Sequence, residues 1–441
     1  MNKKFYSANI KHDFVKIRLT VILSVVVMIL FLLGGGAFAQ SPFRKNNLAV
    51  LVAAASANNT TVSVIEIDKT TVGQSPIQII NLPGTGTDAI RVSGSATSTL
   101  YAANSNDGSL FCFTGANDGS ASTTVNTNTL TNRAVITINS LGAYSIATTY
   151  TGTSGNQTRC ATTINNTDYY IADQGGVFTN VATTASPVAN IRSIKSFGGI
   201  VYLSQSSTAT SSIQVSTVSA TTGGTITGLN GLTNLSTLTD FYLISSGSNG
   251  SSYDILYVVR NTSPTVGAID KYSLVNGNWT ANGSCTTDFG GFGLAAEYYN
   301  SGALLYISSG NGATTANSVK RLTDAAGYNQ TINIADNTLL YTSATGTIIK
   351  GIAFAPKDIT ATNPNIPTSK TSINSNGKTI FVEGLSSTAT IVITDITGKR
   401  LASKRINTTD KYSLDMNGLH GIYLVHIVTE KGATTSKVIL K

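Results

Sequence analysis

Between Asn47 and Pro356 the chain shows almost no helical periodicity; short apolar runs alternate with turns of small polar residues. Leu100-Tyr-Ala-Ala-Asn104, Asp168-Tyr-Tyr-Ile-Ala172, Gly199-Ile-Val-Tyr-Leu-Ser204, Ile255-Leu-Tyr-Val-Val259 and Leu304-Leu-Tyr-Ile-Ser308 are the clearest cases. β-Branched and aromatic runs bounded by Gly, Asn and Ser read as strands and turns. Tyr101, Tyr170, Tyr202, Tyr257 and Tyr306 mark these runs at intervals of 69, 32, 55 and 49 residues, about 51 on average. That interval suits a four-stranded blade, so about 310 residues predict a β-propeller of six or seven blades. A closed ring of blades also removes most exposed sheet edges. Asn47-Leu-Ala-Val-Leu-Val52 and Val62-Ser-Val-Ile-Glu-Ile67 come first and Lys350-Gly-Ile-Ala-Phe-Ala-Pro356 last, so they are expected to share the closing blade. A β-helix or a pair of sandwiches is the alternative architecture.

The formal charge of +8 invites a nucleic-acid reading, but its distribution argues against one. Residues 1–39 hold five Lys/Arg and one acid, and residues 368–441 hold ten and five; the middle keeps fourteen basic and fifteen acidic groups. The basic character belongs to the two ends, and the main domain offers no footprint for phosphate backbones.

At the N-terminus, Lys3, Lys4, Lys11, Lys16 and Arg18 precede an apolar run from Leu19 to Leu33. Ala37-Phe-Ala39 then supplies the small-x-small pattern of a secretory signal, with cleavage expected before Gln40. The apolar run is short for a membrane span and Gly34-Gly-Gly36 interrupts it, so no integral span is expected after cleavage. Pro364 and Pro367 among Thr, Asn and Ser mark a linker. The expected divisions are a signal peptide at 1–39, a propeller-like domain at 40–357, a linker at 358–372 and a C-terminal domain at 373–441.

The main domain contains no histidine, since the three in the chain are His12, His420 and His426. That excludes a Ser-His-Asp or Cys-His arrangement and a histidine-ligated metal there. Glu66 and Glu297 are its only glutamates, and nothing in the linear sequence pairs them as a glycosidase requires. Asn106-Asp-Gly108 and Asn117-Asp-Gly119 have the composition of tight turns, and Ala103 stands where a calcium loop before the first would need an oxygen ligand. Cys112, Cys160 and Cys285 form no metal motif; one pair remains able to bridge in an oxidising compartment. No cofactor is expected. Trp279, Tyr298 and Tyr299 are candidate ligand-facing aromatics, against the reading that Trp279 packs between blades.

From Lys378 onward the chain again reads as short strands, suggesting a small Ig-like β-sandwich. In the run from Gly421 to Val428, Tyr423, Val425 and Ile427 fall on one face and Ile422, Leu424 and Val428 on the other. Three phrases carry a resemblance: Asp395-Ile-Thr-Gly398-Lys399, then Leu414-Asp-Met-Asn-Gly418-Leu419-His-Gly421-Ile-Tyr423-Leu-Val425, then Lys437-Val-Ile-Leu-Lys441. Together they resemble the C-terminal sorting domain of the Bacteroidetes type IX secretion system. The resemblance implies export through that machinery to the outer-membrane surface or the medium, by way of the periplasm. Phrases such as Ile90-Arg-Val-Ser-Gly94 and Asp270-Lys-Tyr-Ser-Leu-Val-Asn-Gly-Asn-Trp279 resemble secreted propeller proteins, which implies a fold and no catalytic residues.

The whole chain is thus expected to be all-β, with a propeller followed by a sandwich. Its expected function is non-catalytic binding of a glycan or surface protein. An extracellular polysaccharide lyase or hydrolase, or a structural adhesion component, are the alternatives.

Overall fold

The computed structural model describes residues 40–358 and 372–441, apart from residues 120–123, 206–213, 220–222, 233–234, 251, 314–316, 386–387, 397–398, 408–410 and 430–431. The expected signal peptide, with Ala37 and Ala39, lies outside the described residues, as do Gly398 and nearly all of the expected linker. The chain divides into two compact units, with the break after Asp358.

The first unit is a six-bladed β-propeller. Blade 1 takes β1 (Leu48–Ala54), β2 (Val62–Ile67) and β3 (Gln78–Asn81) from the start of the unit. Blade 2 is β4 (Ala103–Asn104), β5 (Leu110–Ala116), β6 (Asn132–Asn139) and β7 (Tyr144–Thr151), joined in sequence order. Blade 3 has three strands among the described residues, β8 (Thr158–Thr163), β9 (Tyr169–Asp173) and β10 (Gly176–Phe178). Blade 4 runs β11 (Ile191–Phe197), β12 (Ile200–Gln205), β13 (Val215–Val218), β14 (Ile226–Gly228). Blade 5 runs β15 (Leu238–Ile244), β16 (Ile255–Ser263), β17 (Val266–Val275), β18 (Asn278–Thr287). Blade 6 runs β19 (Gly291–Tyr299), β20 (Gly302–Ser309), β21 (Ser318–Asp324), β22 (Ile334–Thr342).

The last strand, β23 (Thr347–Phe354), returns to blade 1 and pairs antiparallel with β1, placing Leu48 opposite Phe354 and Ala53 opposite Ile348. This is the closure expected from the terminal apolar runs. Burial follows the position of each strand in its blade. β20 is buried at every residue and β23 at all but its ends, so both read as unbroken apolar runs. The outermost β22 and β7 alternate over most of their length, with one face wet. The tyrosine spacing was uneven for a structural reason. Tyr170, Tyr202, Tyr257 and Tyr306 occupy the second strands of blades 3–6, whereas Tyr101 precedes the inner strand of blade 2.

Each of the six seams between blades holds its own apolar cluster, which is what a closed ring requires. Ile90, Phe111 and Ile136 meet Leu51 and Val64 between blades 1 and 2, and Tyr306 and Val319 meet Val50 and Ile65 between blades 6 and 1. Buried ion pairs stitch several seams as well. Arg133 reaches Asp173 at 2.6 Å, Lys195 reaches Asp240 at 2.8 Å, and Lys271 reaches Asp324 at 2.8 Å. Cys112, Cys160 and Cys285 are free thiols, the first two fully buried among apolar side chains.

Lys350, on β23, is fully buried and has no ion pair among those of the described residues. Its Nζ donates to the carbonyls of Ala96 and Gly312 and lies 5.4 Å from the Phe292 ring centroid. Burial pushes its amine down to about 7. The unfolded chain, with an ordinary lysine, then binds more protons than the folded one between about pH 7 and 10.4, so stability rises with pH across that window. Below about pH 7 both states are protonated and the cost of the buried charge is fully present. We expect Lys350→Met to flatten the rise in melting temperature between pH 7 and 10. An unchanged slope would show that Lys350 titrates normally.

The second unit is a two-sheet sandwich. β24 (Ser372–Asn376), β25 (Thr379–Glu383) and β28 (Lys411–Asp415) form one sheet. β27 (Arg400–Ile406), β26 (Ala389–Asp395), β29 (Gly421–Thr429) and β30 (Gly432–Leu440) form the other. Tyr423, Val425 and Ile427 face its core with Ile391 and Ile393, while Ile422 and Val428 are exposed and Leu424 is half-buried on the outer face.

Candidate functional site

The inner strands of five blades end at one mouth of the propeller channel, and a cavity of about 430 Å³ opens there. Asn104 comes from β4, Lys195 to Phe197 from β11, Tyr242 to Ser245 from the end of β15, Glu297 and Tyr298 from β19, and Phe354 from β23. One wall is aromatic. Phe197 meets Tyr242 edge-on at 4.9 Å and Tyr253 at 5.4 Å, and Tyr242 in turn meets Phe354 edge-on at 6.2 Å. Such edge-to-face contacts hold each ring in a fixed orientation.

The floor is Lys195. Its ammonium bonds Asp240 Oδ2 at 2.8 Å and the Leu294 carbonyl at 2.7 Å, and lies 5.3 Å from the Tyr242 ring centroid. At the rim, Glu297 accepts from Lys69 Nζ at 2.7 Å on both oxygens and from Tyr306 Oη at 2.6 Å. Asp107 Oδ1 accepts from Ser105 Oγ and Ser109 Oγ, each at 2.7 Å, and Oδ2 from Asn166 Nδ2 at 2.8 Å. Burial pulls the Asp107 pKa up, but these bonds and that from the Ser109 N–H outweigh it and hold the carboxyl below its usual range. The Asn106-Asp107-Gly108 turn is therefore built by hydrogen bonds, with Gly108 at φ 74°.

Burial raises the Tyr242 phenol well above its ordinary value, as burial and Glu297 do for Tyr306, so both stay protonated. Glu297, Asp107 and Asp240 are each engaged by cations or hydrogen-bond donors, which leaves them poorly placed to shuttle protons. Glu66 is fully buried and holds Arg44 N–H, Asn47 and Gln78 instead. Among the described residues no group of three His, Cys, Asp or Glu is placed to hold a metal ion.

Of the three candidate aromatics, Tyr298 lines the mouth and is 43% exposed. Tyr299 follows at the end of β19 and is also exposed, its side chain directed to the other face of the strand. Trp279 is only 5% exposed and packs with Phe241 and Leu256 in the seam between blades 4 and 5, away from the mouth. Phe197, Tyr242, Tyr253 and Lys195 are the mouth residues that sequence reading missed. Lys195 carried a usable signal: a buried lysine in Ile191-Arg-Ser-Ile-Lys-Ser-Phe197, a strand in which the other cation, Arg192, is the one residue not fully buried.

In the second unit, the residues of the three C-terminal phrases build turns and core. Asp395 Oδ1 accepts from the Lys399 N–H at 3.0 Å across the β26–β27 turn. Gly418 and Gly421 have φ of 83° and 117°, a region costly for other residues. The Leu419 N–H donates to the Met416 carbonyl, and the Tyr423 hydroxyl to the His420 carbonyl. Leu414 and Leu419 pack on the core; Lys437 and Lys441 are exposed.

Fold and site together define a propeller with a ligand-sized mouth, followed by a separate sandwich. Residues 363–441 match the secretion system C-terminal sorting domain, so the second unit is a type IX sorting domain. That tail implies secretion to the cell surface or the extracellular space. No curated protein sequence matches the chain. Among solved structures it is similar to PorZ, an essential bacterial surface component of the type IX secretion system of Porphyromonas gingivalis. That likeness has 11% identity and a TM-score of 0.37, and covers 87% of this chain and 69% of that one. It is also similar to putative 6-phosphogluconolactonases. The one from Bacteroides uniformis has 12% identity and a TM-score of 0.36, covering 87% and 100% of the two chains. The one from Bacteroides fragilis has 12% and 0.37, covering 84% and 99%. Among the described residues no helix is long and apolar enough to cross a membrane.

Proposed function

We propose that the protein is a non-catalytic binding protein of the cell surface, made with an N-terminal secretory signal cleaved before Gln40, that holds a neutral glycan at the channel mouth. The observation that carries this reading is the aromatic wall of Phe197, Tyr242 and Tyr253 beside a cavity of about 430 Å³ with an amide and carboxylate rim. Sugar rings present flat apolar faces edged with hydroxyls, and such a wall and rim complement both. Lys195 pairs with Asp240 and Lys69 with Glu297, and the remaining charges of the mouth, Asp107 and Lys357, are one of each sign, so the formal charges balance, which favours an uncharged ligand. Protonated phenols and engaged carboxylates support binding over a lyase or hydrolase. Phe43 packs into the blade 1–2 cluster just after the expected cleavage point, which supports a mature chain that begins there.

The test is an array of bacterial, plant and host glycans probed with the chain from Gln40 onward. Selective binding is expected, weakened about tenfold or more, equivalent to ~1.4 kcal/mol, by Tyr253→Ala or Tyr298→Ala. Trp279→Ala should act through stability alone. A blank array would sink the glycan reading and leave a protein partner as the better one.

A further inference from the structure

The opposite mouth, at the N-terminal ends of the inner strands, has a different character and carries an inference independent of the glycan reading. Tyr101 stacks on Phe292 at 4.5 Å and 16°, and both rings are fully buried. The pair joins blades 2 and 6 in front of β23, where Gly351 lies so close to Leu100, Tyr101 and Ala102 that a Cβ there would sit 2.5–2.8 Å from their backbone. The Tyr101 hydroxyl is buried, faces the Arg192 guanidinium and has no acceptor for its own proton.

Two guanidinium groups act on that phenol. Arg159 is 4% exposed; its Nη1 donates to Asn190 Oδ1 and to the Ile191 carbonyl, both at 2.6 Å, while its Nε has no partner. Arg192 is half-buried; it faces the Tyr101 hydroxyl and makes one long contact, 3.5 Å to Ser98 Oγ. Neither arginine belongs to any ion pair of the described residues. The carboxylates that act on this group are Asp240 and Asp173. Asp240 keeps one oxygen on Lys195 and the Leu294 N–H, with Oδ1 unpartnered; Asp173 is committed to Arg133, Tyr150 and the Gly175 N–H. Burial, with the like charge of Arg192 adding to it, pushes the Arg159 guanidinium down to about 10. A buried cation without a counter-ion is unfavourable, so the cluster gains from a bound anion.

We propose that this mouth binds a carboxylate or sulfate group, with Arg192 presenting its planar fork, Arg159 Nε a second donor and the Tyr101 hydroxyl a third. Arginine is suited to the role because its fork matches the paired oxygens of both groups. An acidic sugar or a sulfated one would present the same chemistry.

The test is calorimetric titration of the chain from Gln40 onward with sodium glucuronate, sodium sulfate and glucose, at constant ionic strength set with chloride. Saturable binding of glucuronate or sulfate, and none of glucose, is expected. Glucuronate alone would identify a sugar carboxylate as the ligand group, and sulfate alone a sulfate ester. Arg192→Gln should abolish the binding, Arg192→Lys should weaken it through loss of the fork, and Tyr101→Phe should weaken it while removing any change in tyrosine absorbance. Circular dichroism checks that each variant is folded. No binding above the chloride background, or binding that survives Arg192→Gln in a folded protein, would overturn the proposal.

Discussion

Asp324→Ala is expected to destabilise the propeller by about 3–5 kcal/mol, the usual cost of leaving one partner of a buried ion pair uncompensated. Asp324 is fully buried at the end of β21, where it pairs with Lys271 of the neighbouring blade at 2.8 Å. It also accepts from Tyr257 Oη at 2.7 Å and from the N–H groups of Ala326 and Asn333. Removing it strands a fully buried ammonium and leaves those three donors unpartnered. The Lys271 amine keeps only the carbonyls of Ala326 and Gly327. In a melt this should appear as a fall of roughly 5–15 °C. The double variant Lys271→Met/Asp324→Leu should recover the part of the loss that comes from the stranded ammonium, because an apolar pair can replace a buried ion pair at little cost, while the three donors to Asp324 stay unpartnered. A single variant within about 1 kcal/mol of the parent, typical of exposed pairs, would show that the seam is wet.

The second large effect is on delivery. Deleting Ile373–Lys441 is expected to abolish appearance outside the cell and leave the protein in the periplasm. The apolar cluster of the second unit is drawn only from that unit, from Ile373 to Leu440. Circular dichroism of the deletion variant then separates a loss of export from a loss of folding. Val425→Asp offers a finer version, since Val425 is fully buried at the centre of that cluster. If the machinery reads the folded sandwich, this one substitution should block export as the deletion does. Undiminished appearance of the deletion variant outside the cell, measured by fractionation, would refute the sorting role.

The two units were legible in the sequence for different reasons. Strands buried on both faces, such as Leu304-Leu-Tyr-Ile-Ser308, read as apolar runs, and the sorting domain carried turn glycines at fixed places. The mouth was harder. Its residues come from five blades separated by tens to hundreds of positions, and only the ring brings Asn104, Phe197, Tyr242 and Phe354 together. Exposure misled in the same way. A lone tryptophan looks like a ligand platform, yet Trp279 is buried with Phe241 and Leu256 in the seam between blades 4 and 5. The better signal was charge out of place. Lys350 interrupts an apolar run and Lys195 and Lys271 stand in mostly buried strands, and each proves buried in a seam or in the channel.

The pairing of Leu48 with Phe354 joins positions about 300 residues apart, among the longest loops the chain can close. Synthesis runs from the N-terminus, so β1 waits with one edge unpaired until the ribosome has finished almost everything else. The address follows immediately afterwards, in residues 363–441. A chain cut short before β23 therefore lacks its sorting domain as well. Position in the reading frame alone makes the tail a certificate of completion: whatever the export machinery accepts has already received the strand that shuts the ring.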